Sequence, residues 1–151
     1  MKKNILLLLL LAASLCLPAF AINKKPFTIP EVKEWKGAEG TLTLSGRIVC
    51  NGVEERRIAQ QLADDYRQMF GTALTIAQGI AQKGDILLSL KAPKTLGEEG
   101  YTMSINAQVS IAAANRKGLY WGTRTLLQLA EQSETHALPC GFINDAPDYP
   151  F

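Results

Sequence analysis

The chain has 151 residues, 47% of them hydrophobic and 20% charged, and its formal net charge is +2 at pH 7. This length allows one hydrophobic core and excludes a complete α/β barrel, which takes about 250 residues. The charge balance is too even to predict nucleic acid or an anionic membrane as a partner.

The first 21 residues have the pattern of an export signal. Lys2 and Lys3 precede an apolar run over residues 5–17, and Ala19-Phe20-Ala21 has the small-x-small form of a cleavage site. A transmembrane anchor is the less favoured alternative, because the run is short for a bilayer and Pro18 interrupts it. We therefore expect a signal peptide at 1–21 and an exported chain, periplasmic or secreted, with no membrane span after cleavage.

Cleavage would change both the charge and the cysteine content. Lys2 and Lys3 leave with the signal, so 14 basic residues remain against 14 acidic ones and the net charge becomes zero. Cys50 and Cys140 stay, and export permits a disulfide between them. Two separately buried thiols are favoured, because cysteine is often buried and the sequence does not place this pair within bridging distance.

Short strands are expected in the first part of the mature chain. Residues 22–30 contain two prolines and no periodicity, which predicts an irregular lead-in. Two β-like segments, 32–35 and 41–44, would flank a glycine-rich turn at 37–40. A further strand at 47–50 would end at Asn51-Gly52, a strong turn dipeptide.

Residues 53–70 show the clearest helical pattern. The apolar residues recur every three or four positions, namely at Ile58, Ala59, Leu62, Ala63, Tyr66, Met69 and Phe70. Glu54 and Glu55 suit the positive end of the helix dipole, and Gly71 predicts the stop. We expect an amphipathic helix that covers one side of a sheet.

Strands at 74–78 and 85–91 are predicted next. Apolar and polar residues then alternate over 101–106 and 109–113 with a short polar turn between them, which predicts an antiparallel hairpin.

A second amphipathic helix is predicted over 116–132, with Asn115 as its cap. Gly118 and Gly122 lie one turn apart, and each costs about 1 kcal/mol relative to alanine in a helix interior. We therefore expect this helix to approach the hairpin or a neighbouring domain closely. A last strand follows at 137–143, and prolines keep 144–151 extended.

No spacing in the chain is typical of a catalytic or metal site. His136 is the only histidine and is predicted to be a surface loop residue. Asp64 and Asp65 diverge by about 100° around their helix, so they cannot act on one bond. The remaining acidic candidates are expected to be solvated or turn-forming: Glu98, Glu99, Asp145 and Asp148. We thus predict no catalytic, cofactor-binding or metal-binding residue, and no cofactor.

Several motifs nevertheless carry a family resemblance. They are Gly100-Tyr101, Ile111 to Ala113, Gly118-Leu119-Tyr120-Trp121-Gly122, Thr125-Leu126-Leu127-Gln128-Leu129 and Pro139-x-Gly141-x-Ile143-x-Asp145-x-Pro147. Together they resemble the non-catalytic N-terminal domain of glycoside hydrolase family 20 β-N-acetylhexosaminidases, in which Phe-Tyr-Gly is commoner than Tyr-Trp-Gly. Related domains precede the catalytic barrels of family 84 enzymes and α-glucuronidases, but the sequence Asp145-Ala146-Pro147 favours family 20.

The resemblance implies an α+β domain with a mixed, largely antiparallel sheet and two amphipathic helices on one face. It would occupy 22–143, and 144–151 would be a linker into a (β/α)₈ barrel absent from this chain. In similar enzymes an Asp-Glu pair in that barrel removes terminal β-linked N-acetylhexosamine by a substrate-assisted route. No position here matches that pair, so the chain alone is expected to be inactive.

Two functions follow from the sequence. The first is an accessory domain of an exported β-N-acetylhexosaminidase, whose partner is the barrel of the same polypeptide and whose glycan contact runs through that barrel. The second is a stand-alone periplasmic module that binds a glycan or a protein. In that case Trp35 and Trp121 would be the stacking candidates, although packing in the core or an interface is the more ordinary role for both.

Overall fold

Alternating apolar residues form a seven-stranded sheet in the computed structural model, which describes residues 21–146. Its strands are β1 Glu34–Leu42, β2 Arg47–Val49, β3 Thr75–Ala77, β4 Ile86–Ser89, β5 Tyr101–Ile105, β6 Val109–Ala113 and β7 Leu138–Asp145. Residues 1–20 of the predicted signal peptide and 147–151 of the predicted linker lie outside the described residues.

The sheet has an antiparallel half and a parallel half. The strand order is β1-β7-β5-β6-β4-β2-β3, with antiparallel pairing from β1 to β6 and parallel pairing from β6 to β3. The predicted hairpin is the central β5–β6 pair, and the longest strands, β1 and β7, lie in the antiparallel half. The predicted α+β class with a mixed sheet is confirmed.

Two helices, α1 (Val53–Phe70) and α2 (Arg116–Glu131), pack beside each other against the sheet. The bounds of α1 match the prediction, and Gly71 ends it with a φ of 69°. Asn115 caps α2 by accepting a hydrogen bond from the Lys117 backbone N–H at 3.0 Å. The core between helices and sheet is mainly apolar, with Leu62, Met103, Ile111, Leu119 and Leu126 essentially inaccessible to solvent.

The glycine-rich turn predicted at 37–40 is wrong, because β1 runs through it as one strand. Its pairing with β7 continues on both sides of a register shift between Gly37 and Thr41. Three residues of β1, 38–40, lie opposite a single residue of β7, Cys140, so the extra residues bulge out. Gly40 has a φ of 81°, which a bulge accepts and a side chain would strain.

The irregular lead-in is a strap, residues 21–33, that follows the sheet edge and then α2. Its first part is tied to the sheet by the Asn23 side-chain amide, which donates to the carbonyl oxygens of Ala38, Gly40 and Cys140 at 2.7–3.0 Å. Two residues of the strap, Thr28 and Val32, are buried, and the Thr28 hydroxyl accepts from the Val32 N–H at 3.1 Å. The strap is therefore a packed element without regular secondary structure.

Cys50 and Cys140 are both buried and both free thiols. Cys140 lies in β7 and Cys50 follows β2, and β5, β6 and β4 separate those strands. Four strand spacings of about 4.8 Å put the two far beyond the reach of a disulfide. The prediction of two separately buried thiols therefore agrees with the sheet order, and the alternative of a disulfide does not.

Candidate functional site

Tyr101 is the centre of a buried hydrogen-bonded cluster at the start of β5. Its side chain is only 1% exposed, and its hydroxyl lies 2.6 Å from the Thr125 hydroxyl and donates to Asp145 Oδ2 at 3.1 Å. Because the tyrosine proton is used on the carboxylate, Thr125 is the donor of the shorter bond. Burial raises the pKa of Tyr101 well above its usual range, so it remains a donor at every physiological pH.

Asp145 joins this cluster to the strap. Its second carboxylate oxygen, Oδ1, accepts a hydrogen bond from the Lys33 backbone N–H at 3.1 Å. The Asp145 side chain thus bonds β5 and the strap directly, and it is linked to α2 through Tyr101 and Thr125. We call Tyr101, Thr125 and Asp145 the anchor cluster, because it fixes the last strand at the point where the chain leaves the sheet.

Gln128 fastens the strap to α2. Its amide bonds both polar atoms of the Ile29 backbone, accepting from the N–H at 2.7 Å and donating to the carbonyl oxygen at 3.1 Å. One turn further on, Gln132 donates to the Phe27 carbonyl oxygen at 2.7 Å. Beyond its bridge to β1 at Ile22, the strap satisfies backbone groups through these side chains.

The two helix glycines allow close approach to the β5–β6 hairpin. A Cβ on Gly118 would run into the Gly100 carbonyl group, and one on Gly122 would run into Ile111 and the Tyr101 ring. Of the two neighbours considered for these glycines, the hairpin is the one observed. The same approach brings Thr125, one turn further along α2, onto the Tyr101 hydroxyl.

The two tryptophans have different surroundings. Trp35 packs its ring on Gly141 and donates its indole N–H to the Asn23 carbonyl oxygen at 3.1 Å, so it is a packing residue. Trp121 is partly exposed on α2 and lines an open groove of about 370 Å³ between the two helices. Ion pairs cross this helix interface from Arg116 to Glu54 at 2.9 Å and from Arg124 to Asp65 at 2.5 Å.

The acidic residues are distributed as structural partners. Asp64 pairs with Arg67 along α1, whereas Asp65 points to Arg124 of α2, so the two diverge as predicted. The expectation that all of the others are solvated or turn-forming is wrong for Glu99 and Asp145. Glu99 is 6% exposed and lies 3.6 Å from the Lys117 ammonium, while Asp145 belongs to the anchor cluster. Asp148 lies outside the described residues.

Asp85 is a buried carboxylate that the sequence did not single out. It accepts hydrogen bonds from the Arg47 guanidinium, the Ser45 hydroxyl and the Gln82 N–H. These bonds, those from Arg47 above all, lower the pKa of Asp85 to about 2 although burial opposes the shift. An arginine at the start of one strand and an aspartate just before its neighbour are the only sequence signal for this pair.

His136 lies in the loop before β7, as predicted, and is partly exposed. Its ring packs 4.4 Å from the Phe70 ring, and Nδ1 lies 3.1 Å from the Ala130 carbonyl oxygen. Within residues 21–146 no group of three or more His, Cys, Asp or Glu side chains could hold a metal ion. No helix in the same range is long and apolar enough to cross a membrane.

The sequence of the whole domain matches a known family model. The model for glycosyl hydrolase family 20, domain 2, matches residues 25–146. The chain belongs to glycosyl hydrolase family 20. The predicted resemblance is thereby confirmed, and the anchor cluster, the helix glycines and Gln128 are all residues of the motifs that carried it.

Individual relatives of this family 20 domain are hexosaminidases. A β-hexosaminidase of Akkermansia muciniphila is 35% identical over 68 residues, which are 43% of this chain and 14% of that protein. The structure of a β-N-acetylhexosaminidase from Streptomyces coelicolor A3(2) has a TM-score of 0.67 at 28% identity, covering 80% of this chain and 26% of that one.

A more distant structure shows the fold alone. An inactive variant of an exo β-N-acetylglucosaminidase from Vibrio harveyi has a TM-score of 0.70 at 19% identity and covers 89% of this chain. The match is 21% of that chain. The family 20 domain thus spans about a quarter or less of the length of these relatives.

Proposed function

We propose that this family 20 domain is the accessory domain of an exported β-N-acetylhexosaminidase, in which it supports and positions a (β/α)₈ catalytic barrel of the same polypeptide. The anchor cluster is the observation that carries the proposal. It ties the end of β7 to the hairpin, to α2 and to the strap, so the chain leaves the domain from a rigid point. A rigid exit is what a domain needs in order to hold a neighbour in one orientation.

The chemistry would belong to the barrel. We propose that the parent enzyme removes terminal N-acetylhexosamine from glycans, since the relatives that match here are named hexosaminidases and are about four to seven times as long as the matched part. The domain itself would touch the glycan only through that barrel. Nucleic acid is not a proposed partner, because the chain without its leader has no net charge.

Export is part of the proposal and depends on the leader. Residues 1–21 would direct the protein to the periplasm or the medium, where polymeric glycans are accessible. Mass spectrometry of the protein from its native host tests this directly. We expect a mature N-terminus at Ile22, and an intact N-terminus on a cytoplasmic protein would contradict export.

The whole proposal is tested by reading the gene past codon 151 and assaying the complete product. We expect alternating strands and helices of a barrel, and hydrolysis of a chromogenic N-acetylglucosaminide by the complete protein. A stop codon directly after Phe151 with no barrel would refute the accessory role. A barrel without hexosaminidase activity would refute the substrate class and leave the positioning role in place.

A further inference from the structure

Two large apolar side chains stand in solvent on the strap. Phe27 is 72% exposed and Ile29 is 70% exposed, although both belong to an ordered segment. The residue between them, Thr28, is 3% exposed, so alternation along the extended strap directs Phe27 and Ile29 outward. The bonds from Gln128 and Gln132 to their backbone groups hold both in that orientation.

Trp121 extends this apolar surface along α2. It lies two helical turns before Gln128 on the same side of the helix, about 10 Å away along the axis. Its ring is partly exposed and contacts Tyr120 edge-on at 5.4 Å between centroids. The outward side of α1 is polar by contrast, with exposed residues such as Arg57, Gln60 and Asp64. We call Phe27, Ile29 and Trp121 the docking face.

The chain leaves the sheet beside the docking face. Lys33 of the strap is bonded to Asp145, and Ile29 is four residues from Lys33, which is at most about 14 Å of extended chain. Whatever follows Asp145 is therefore tethered close to Ile29, and Phe27 lies two residues further along the strap. Tethering gives a high effective concentration, so even a modest apolar contact would be occupied most of the time.

A second pair of exposed apolar side chains follows strands at the other end of the sheet. Val53 and Ile80 are 72% and 89% exposed, after β2 and after the edge strand β3. In the sheet order, β2 and β3 are four and five strands from β7, or about 19 Å and 24 Å. Exposure alone therefore does not distinguish the two pairs, whereas distance from the exit does.

We infer that the docking face is the surface on which the catalytic barrel packs, with Phe27 and Ile29 of the strap as its apolar anchors. This inference rests on the proposed function, because it needs a barrel after residue 145. The strap would then both cover the core and add Phe27 and Ile29 to the contact surface beside α2, next to the point where the chain leaves the sheet.

Hydroxyl-radical labelling of the complete protein and of a chain ending at residue 151 tests the inference. We expect labelling of Phe27, Ile29 and Trp121 to be suppressed in the complete protein, and labelling of Val53 and Ile80 to be unchanged. Equal labelling of the docking face in both proteins would overturn the inference while leaving the proposed function standing. Absence of a barrel from the gene would instead remove the proposed function itself.

A pair of double variants of the complete protein tests the energetics. Phe27→Ser with Ile29→Ser should make the segment after Asp145 more sensitive to limited proteolysis, whereas Val53→Ser with Ile80→Ser, the matched control, should not. Both pairs are exposed, so neither should lower the thermal stability of the chain ending at 151. Identical proteolysis of the two variants would overturn the inference.

A sugar site is the competing use of Trp121. The test uses a variant of the complete protein whose barrel active site no longer binds sugar. Chitin oligosaccharides should leave the tryptophan fluorescence of this variant unchanged. A saturable change that is lost in Trp121→Ala, together with unsuppressed labelling of Phe27 and Ile29, would show that this surface binds glycan and would overturn docking.

Discussion

At the scale of single residues, one hydroxyl group joins segments that are distant in the chain. Tyr101 bonds Thr125, 24 positions later, and Asp145, 44 positions later. A hydroxyl in this position has no water to replace a lost partner, because the side chain is 1% exposed. Each group in the anchor cluster is therefore needed by the others.

Tyr101→Phe is expected to lower the free energy of unfolding by about 1–2 kcal/mol, since Thr125 and Asp145 each lose a buried partner. Urea denaturation of residues 22–151 measures the effect. Tyr120→Phe, which changes a partly exposed tyrosine of α2, is the control and should change stability little. An unchanged midpoint for Tyr101→Phe would show that the cluster does not hold β7.

The Asp85–Arg47 pair makes stability depend on pH in a defined range. The folded pKa of Asp85 is about 2, below its ordinary value of 3.8. The ionised form is therefore favoured by folding. Its contribution is complete above pH 4 and disappears as the pH falls through 2, where the carboxyl group is protonated in both states.

Asp85→Asn should cost about 2 kcal/mol at pH 7, and this cost should shrink toward zero near pH 2. Urea unfolding of the variant and the parent sequence across this range gives both values. Asp64→Asn, on the exposed side of α1, is the matched carboxylate control and should show a much smaller effect at pH 7. A cost for Asp85→Asn that does not vary with pH would contradict the assigned pKa.

At the scale of elements, α2 makes contacts on two of its sides. Its glycine side lies on the hairpin, where Gly122 meets Ile111 and Tyr101. Its glutamine side bonds the strap through Gln128 and Gln132. The motif that identifies the family is therefore the contact pattern of this one helix.

Gly122→Ala should destabilise the domain by about 1–3 kcal/mol despite the roughly 1 kcal/mol that alanine contributes to a helix, because the added methyl group has no space. Thermal unfolding measures the change. Combining it with Ile111→Ala should cost less than the sum of the single changes, since that removes the group in contact. Stabilisation by Gly122→Ala alone would show that the helix can move away from the hairpin.

Gln128→Ala should release the strap, because two hydrogen bonds to Ile29 are lost at a net cost of about 1 kcal/mol each. Trypsin should then cleave faster after Lys24 or Lys33 while the rest of the domain stays protected. Gln68→Ala on the exposed side of α1 is the control. Equal cleavage rates in the two variants would show that Gln132 and burial of Thr28 suffice to hold the strap.

At the scale of the whole molecule, the carboxylates are used for holding the fold together. Asp65 pairs across the helices, Glu99 lies against Lys117, Asp85 binds Arg47 and Asp145 belongs to the anchor cluster. Each of these side chains has an internal partner in a different part of the domain. None of these four forms with another the facing pair that glycoside hydrolysis commonly uses.

Residues 22–151 alone should therefore not hydrolyse a chromogenic N-acetylglucosaminide. A preparation from a host lacking its own hexosaminidases, assayed beside an unrelated exported domain, gives the background rate. Turnover above that background, retained after a second purification step, would mean that the domain carries chemistry of its own.

The sequence by itself determined the elements with local signals. Both helices, the β5–β6 hairpin and the helix cap at Asn115 follow from periodicity, a short turn and one capping side chain, all within a few residues of each other. The family followed from motifs in α2 and β7. These features need no knowledge of what packs against them.

Only the tertiary structure decided the features that depend on distant partners. The glycines at 37–40 resemble a turn locally, but pairing with β7 on both sides makes them a bulge. The strap needs no periodic pattern of its own, because the Gln128 and Gln132 side chains, about 100 positions away, make hydrogen bonds to its backbone. In the sequence, Asp145 resembles a linker residue, because its bonds to Tyr101 of β5 and to Lys33 of the strap exist only in the folded domain. Sequence periodicity records local geometry, whereas these contacts arise when the sheet order brings separate segments together.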